Sequence, residues 1–253
     1  MTRYASPDSL QDSPCSVSIA PPLPLLQAHP QLPHPSVGHW FKRSLDIVGS
    51  LIGLSILAII FVPVAIAIRL DSPGPVFYTQ QRCGLLGRCF TIYKFRTMVQ
   101  GADRLGDQPA PTPVDDQAKD KAKDKANDEA KGKPFNFKRG RDPRVTRVGW
   151  FLRKTSLDEF PQFLNVLRGE MSLVGTRPPT LDEVEHYADH HWLRLNVKPG
   201  ITGEWQVNGR SKIDDFEEIV KLDLRYQALW HPLYDLSLIL RTIRAVVFGV
   251  GAM

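Results

Sequence analysis

The stretch from Ile47 to Ile68 holds 22 consecutive residues without a charge, and no other segment limits the fold as strongly. At a rise of ~1.5 Å per residue, a straight helix of that length reaches ~33 Å, about one bilayer core. Pro63 argues against straightness, because proline removes a backbone donor and its ring collides with the preceding turn. Lys42 and Arg43 precede the run, while Arg69, Arg82 and Arg88 follow it. Positive flanks on both sides suit two cytoplasmic ends, which one span does not provide. The favoured expectation is a re-entrant helix–break–helix over residues 39–72, wedged into one leaflet and broken at Pro63. A single span and a buried helix of a soluble core are the alternatives.

The 253 residues allow one large domain or two small ones, and 42% hydrophobic content excludes wholesale disorder. A net charge of +5 favours an anionic partner: phosphates, a membrane surface or nucleic acid. No zinc-finger spacing, helix-turn-helix signal or basic heptad region is present, so no nucleic-acid partner is expected. Cys15, Cys83 and Cys89 match no common metal or redox spacing, and reduced thiols are expected.

Residues 1–38 contain eight prolines and no periodic apolar pattern, which predicts a disordered tail and not a signal peptide. Pro75 to Gln81 and Cys89 to Phe95 read as two strands around a Gly84–Gly87 turn. Between Asp115 and Lys133, six acidic residues alternate with six lysines, within a charged insertion expected to be disordered over 101–134. The catalytic domain expected over 73–253 resumes after it, rich in short helical patterns. A final helix, Tyr234 to Phe248, has Arg241 and Arg244 among apolar residues. It suits either the membrane interface or packing on the core. The fold class expected is α+β, mainly helical and membrane-associated, with a short β-hairpin and interfacial amphipathic helices.

Chemistry concentrates in Arg153-Lys154-Thr155-Ser156-Leu157-Asp158-Glu159-Phe160-Pro161-Gln162. Ser156 and Glu159 have the form of a capping box, but that register places Pro161 too deep in a helix. A helix starting at Asp158 leaves Pro161 in the first turn, where its missing donor costs little. Either register puts both carboxylates beside unpaired backbone N–H groups. A positive helix end favours the ionised carboxylate that attack on phosphorus requires, and it also attracts phosphate oxygens. Phosphates and carboxylates repel one another unless a cation intervenes, so Mg²⁺, with Mn²⁺ as its substitute, is the expected cofactor. Taken alone, such an acidic pair is more commonly a cap.

Val174-Gly175-Thr176-Arg177-Pro178-Pro179 stiffens the chain around one guanidinium suited to bidentate phosphate contact, or forms a plain surface turn. Lys94, near a strand end, offers another cation. Lys198-Pro199-Gly200-Ile201-Thr202-Gly203 and Gln206-Val207-Asn208-Gly209-Arg210 suit a loop that approaches a pyrophosphate, or ordinary turns.

From Lys42 onward, leaving out the insertion, the chain resembles the bacterial sugar transferase family, the monotopic phosphoglycosyl transferases that begin surface polysaccharide assembly. The resemblance rests on Lys42-Arg43-x-x-Asp46, Tyr93-Lys94-Phe95-Arg96-Thr97-Met98, Leu157-Asp158-Glu159, and the run Leu164 to Gly175. Arg177-Pro178 and Pro199-Gly200-Ile201-Thr202-Gly203 complete it. The chain departs from the family's pattern at Val62-Pro63, where Ser-Pro is common, and at Thr176 and Glu204.

The resemblance implies that Asp158 attacks the sugar-bearing phosphorus of a UDP-sugar, releases UMP, and passes the phosphosugar to undecaprenyl phosphate. Glu159 is then the partner acid, and both carboxylates are metal-ligand candidates. Lys94, Arg153, Arg177, Pro178 and Arg210 are the phosphate- and substrate-binding candidates. Lys42, Arg43, Asp46 and Pro63 belong to the membrane anchor, and Asp223 and Asp235 to the structure. The expected location is the cytoplasmic face of the bacterial inner membrane, in contact with its lipid. A homodimer or polysaccharide-assembly proteins are further candidate partners. The rival functions are a non-catalytic membrane scaffold and a glycosyltransferase that releases UDP in place of UMP.

Overall fold

The computed structural model describes residues 32–102, 142–209, 213 and 215–248. Most of the expected tail, most of the charged insertion, and Arg210 lie outside these residues. The described part is mainly helical, with two small two-stranded sheets.

Helix α1, Trp40–Asp71, contains the whole uncharged run. It does not divide into two helices at Pro63, which lies inside it on the exposed side. The deprived acceptor is the Ile59 carbonyl. Only 11% of its most apolar 18-residue window is buried, which removes the soluble-core alternative. Val48, Ile52, Ile59, Val62, Ile66 and Leu70 are exposed along the outer side. The inner side follows helical spacing through Lys42, Asp46, Ser50, Gly53, Leu57, Phe61, Val64 and Ile68. The outer side is thus apolar and uncovered, while the side that meets protein is polar or small from Lys42 to Gly53 and apolar from Leu57 to Ile68.

The expected hairpin is present, shifted slightly at its first strand: β1, Phe77–Cys83, pairs antiparallel with β2, Cys89–Phe95. The turn between them places Leu86 at φ 53° and Gly87 at φ 75°. Phe61 of α1 stacks with Phe77 and Phe95, at centroid distances of 5.7 and 6.4 Å, joining the helix to the hairpin. Helix α2, Arg147–Lys154, adds Leu152 to this layer and is capped by the Thr146 side chain.

A 3-10 helix, Leu157–Gln162, runs directly into α3, Phe163–Arg168. The capping box considered for Ser156 does not form: Ser156 sits at φ 57° and makes no side-chain cap bond. The start of the helical run does lie close to Asp158, and Pro161 is accommodated because the segment is 3-10 rather than α.

After α3, β3 (Ser172–Val174) pairs in parallel with β4 (Gly200–Thr202). The chain between them forms α4, Leu181–Glu185, and a 3-10 helix over Asp189–Asn196. The glycines of the two loop motifs permit this close pairing. A Cβ on Gly200 would meet the Gly175 nitrogen at 2.1 Å, and one on Gly175 would meet the Lys198 carbonyl oxygen at 2.1 Å. Backbone approach within the protein therefore accounts for these glycines, without a pyrophosphate.

Short α5, Glu204–Asn208, is followed by α6, Phe216–Leu229, and α7, Pro232–Phe248. The central core joins Phe90, Ile92, Val166, Met171, Tyr226 and Leu238, contributed by the hairpin, α3, the link from α3 to β3, α6 and α7. Helix α7 packs on the core, one of the two expectations for it, and leaves an apolar side uncovered. Asp235 and Leu238 are buried, while Leu233, Leu236, Leu240 and Ile243 form an exposed apolar stripe. Residues 32–38, at the end of the segment read as a tail, include a 3-10 turn, Pro35–Val37, tied down by His34 N–H to the Asn196 carbonyl at 2.8 Å.

Candidate active site

Antiparallel register puts Lys94 opposite Tyr78 on the hairpin, and the 3-10 helix packs against β2. Lys94 Nζ thereby reaches Glu159 Oε1 at 3.0 Å, with both side chains only partly exposed. Glu159, Lys94, Arg177 and Pro178 line one cleft of about 130 Å³, together with Arg82, Ile92, Gln162, Gly200, Ile201, Trp205 and Gln206. Four of the residues expected at the site from sequence therefore meet in one place.

Arg177 is held as its Pro-stiffened segment suggests, but by a carboxylate. Its Nη1 donates to Glu183 Oε1 at 3.1 Å. Glu183 also closes a true capping box with Thr180 at the start of α4. Burial pushes the Glu183 carboxyl up, but Arg177, the Thr180 N–H and Arg82 outweigh it, and the carboxyl is held below its ordinary range.

Arg82 was legible only as a flank of the apolar run, yet it enters the cleft. Nη1 donates to the Pro178 carbonyl at 3.0 Å and Nη2 to Gln80 Oε1 at 2.6 Å. Burial and the neighbouring Arg177 guanidinium push its acidity up, to a pKa of about 10. Two guanidiniums and an ammonium, against the carboxylates of Glu159 and Glu183, leave a site of net positive charge that favours an anionic ligand.

Asp158 is half-buried, in the same turn as Glu159. Arg153 donates Nε to Thr97 Oγ1 at 2.9 Å. Burial lowers its pKa and the charge of Asp158 raises it, which places the guanidinium within electrostatic reach of that carboxylate. Neither Asp158 nor Arg153 is among the residues that line the cleft; Asp158 adjoins it through its neighbour Glu159. The acidic groups offer oxygen donors alone, and the lining contains no His or Cys. That chemistry fits a hard cation such as Mg²⁺ or Mn²⁺.

The three polar anchor residues have a different role from the one their flanking position suggests. Lys42 Nζ is buried and donates to Val174 O, Tyr226 Oη and Asp235 Oδ2 at 2.9, 3.1 and 2.7 Å. Arg43 donates to the Val166 and Leu167 carbonyls at the C-terminal end of α3. Asp46 Oδ1 accepts from Ser172 Oγ and the Leu173 N–H, both at 2.8 Å. All three bind α1 to the domain interior and do not face lipid. Asp223 and Asp235 are structural, as expected: Asp223 Oδ2 accepts from Arg194 at 2.6 Å in a fully buried ion pair.

Among the described residues, His190, His191 and Glu217 bring three potential metal ligands together. His191 Nδ1, however, accepts the Ala188 N–H at 3.0 Å, so the neutral ring carries its proton on Nε2 and donates it to Glu217 Oε1 at 2.7 Å. No lone pair is left on Nε2 for a metal, and the trio acts as a hydrogen-bonded cluster that joins the 3-10 helix over Asp189–Asn196 to the first turn of α6.

A family model described as "Bacterial sugar transferase" matches residues 37–249. Over 211 residues the chain is 46% identical to the galactosyl transferase CpsE of Streptococcus agalactiae, a match that covers 83% of this chain and 43% of that protein. It is 38% identical over 214 residues to the undecaprenyl-phosphate galactose phosphotransferase of Salmonella typhimurium, covering 84% and 42% respectively. The exopolysaccharide production protein ExoY of Sinorhizobium fredii is 37% identical over 223 residues, with 85% of this chain and 89% of that protein covered. The chain therefore spans less than half the length of the first two relatives and most of the third.

Proposed function

Because the chain belongs to the bacterial sugar transferase family, we propose that it transfers a hexose 1-phosphate from a UDP-sugar to undecaprenyl phosphate, an initiating step in exopolysaccharide or related glycan assembly. The observation that carries this reading is the cleft in which Lys94, Arg82 and Arg177 converge beside the Asp158–Glu159 turn. The Salmonella relative is named as an undecaprenyl-phosphate galactose phosphotransferase, which suits a cleft that favours anions and makes UDP-galactose the first donor to test. UDP-glucose is the second.

In the first half-reaction, an Asp158 carboxylate oxygen bonds to the sugar-bearing phosphorus. The phosphoanhydride bond breaks and UMP leaves with the electron pair. In the second, an oxygen of undecaprenyl phosphate attacks the same phosphorus, the bond to Asp158 breaks, and the carboxylate is restored. Arg153 favours the ionised form of Asp158 before attack. Lys94, Arg82 and Arg177 offset the charge of the pyrophosphate and of the departing phosphate. Asp158 and Glu159 would hold Mg²⁺, which when bound supplies further neutralisation of the phosphates, and Glu159 would share its charge between that ion and Lys94.

The same reading places α1 in one leaflet at the cytoplasmic face of the inner membrane. Its support is that the domain grips the helix at both ends. Lys42 is fixed at one end, and Asp71 Oδ2 accepts the Val148 N–H at 2.8 Å at the other. A span would separate those ends by a bilayer. The exposed apolar sides of α1 and α7 are left for lipid.

The test is nucleotide release in detergent with Mg²⁺ and UDP-galactose or UDP-glucose, with and without undecaprenyl phosphate. The expected result is UMP that disappears in Asp158→Asn, with a phosphosugar mass adduct on the intact chain when the acceptor is withheld. UDP as the product, or turnover untouched by Asp158→Asn, overturns the mechanism.

A further inference from the structure

The same cleft carries a second group of side chains whose chemistry differs from that of the cations. Gln162 and Trp205 are 3% and 7% exposed, and neither the Gln162 Nε2 nor the Trp205 Nε1 has a hydrogen-bond partner. Gln206 donates its Nε2 to the Ile201 carbonyl at 3.1 Å, and its buried Oε1 has no partner. Arg82 binds protein through both terminal nitrogens, while its buried Nε has none. All four residues line the cleft. Buried polar atoms in proteins are nearly always paired, so four orphans around one cavity mark a place that a polar ligand completes.

Three of these atoms are donors and one is an acceptor, and three of the four side chains are neutral. A phosphate offers only acceptors and is better served by Lys94 and Arg177. Hydroxyl groups donate and accept at once, and a ring bearing several of them satisfies the whole set. Position points the same way. Gln162 follows Glu159 by three residues in a 3-10 helix, so it lies on the same side, one turn of ~6 Å further along. The hexose is joined to the attacked phosphorus through a single oxygen. Uracil is separated from it by the α-phosphate and the ribose.

Building on the transferase reading, we propose that Gln162, Trp205 and Gln206, with the Arg82 Nε–H, form the wall that binds the hexose hydroxyls of the nucleotide sugar. These residues then set which sugar is accepted, since a site built to hydrogen-bond a hydroxyl rejects an analogue that lacks it or turns it away.

The experiment measures binding of UDP-galactose, UDP-glucose and UDP to the full chain in detergent, with Asp158→Asn present to prevent turnover. Trp205→Phe keeps the ring and removes the donor; Gln206→Met and Gln162→Met remove the amides. The expected result is that each weakens binding of the preferred UDP-hexose roughly tenfold, while UDP affinity changes less than about twofold. Equal weakening of UDP assigns the wall to uracil or phosphate and overturns the proposal, as does unchanged affinity for the UDP-hexose. Trp205→Phe gives the decisive reading if an amide variant does not fold. If the chain with native side chains in the wall binds neither UDP nor a UDP-hexose, the transferase reading itself fails. If it binds a UDP-hexose and the variants do not separate that ligand from UDP, the proposal alone fails.

Discussion

Replacing Lys42 with methionine removes one ammonium that satisfies three acceptors from three parts of the chain: Val174 in β3, Tyr226 in α6 and Asp235 in α7. Methionine keeps most of the stem volume, so the cavity left behind is small. The cost comes from the Asp235 carboxylate, 1% exposed, which keeps its Tyr226 and Trp230 donors but loses its countercharge. Removing one partner of a buried pair costs about 3–5 kcal/mol, a large share of the ~5–15 kcal/mol that holds a domain together. At ~2–4 °C per kcal/mol for a domain of this size, the midpoint of thermal unfolding in detergent falls by about 6–20 °C. Lys42→Met with Asp235→Asn neutralises the stranded charge and keeps an acceptor for Tyr226. The double variant is expected to be more stable than Lys42→Met alone, with a coupling of about 1–3 kcal/mol in the cycle. A loss under ~1 kcal/mol in Lys42→Met, or strict additivity in the cycle, would show that Lys42 does not fasten α1 to the domain.

Two further outcomes follow from the packing of α1 and the clamp on Arg177. A Cβ at Gly53 would sit 2.4 Å from the Phe163 ring, so Gly53→Ala is expected to destabilise by about 1–3 kcal/mol despite alanine's better helix propensity, and Phe163→Leu in the same chain to recover part of the loss in a denaturant titration. No loss in Gly53→Ala would mean that α1 and α3 do not touch there. The Glu183 carboxyl is held below its reference of 4.5, so its stabilising contribution is full above that pH and drains away as pH falls through the lower folded value. Glu183→Gln should therefore flatten the acid limb of the stability profile and, by loosening Arg177, raise the KM for the donor. An unchanged acid limb would refute the ion pair.

Much of this site was legible one residue at a time. The acidic pair at a helical start, the cation on a strand end and the Pro-stiffened Arg177 each carry local signals, and Lys94, Glu159, Arg177 and Pro178 do line one cleft. Arg82 was read only as a flank of the apolar run, Gln162 and Gln206 only as members of longer motifs, and Trp205 not at all, because nothing local separates a buried amide or indole from an ordinary one. The only available hint was the period-2 alternation of β1, which does not by itself say which face meets the 3-10 helix. Lys42 and Arg43 were read by their position beside an apolar run, where the usual role of a basic residue is to face headgroups. Their partners lie more than a hundred positions away, at Val166, Leu167, Val174, Tyr226 and Asp235.

The sequence alone determined the elements whose physics is short-range. An uncharged run becomes helix because unpaired backbone groups are costly in any apolar setting, and alternation around a glycine turn becomes a hairpin. Tertiary structure decided everything that depends on distant partners. It showed α1 continuing through Pro63 while the domain holds both its ends. It paired two three-residue strands whose only signal was the closeness their glycines permit. It also gathered four unsatisfied polar atoms around one cleft. The physical reason is that charge pairing, burial and hydrogen-bond satisfaction depend on neighbours in space, and between β1 and α5 those neighbours are brought together only when the chain closes on itself.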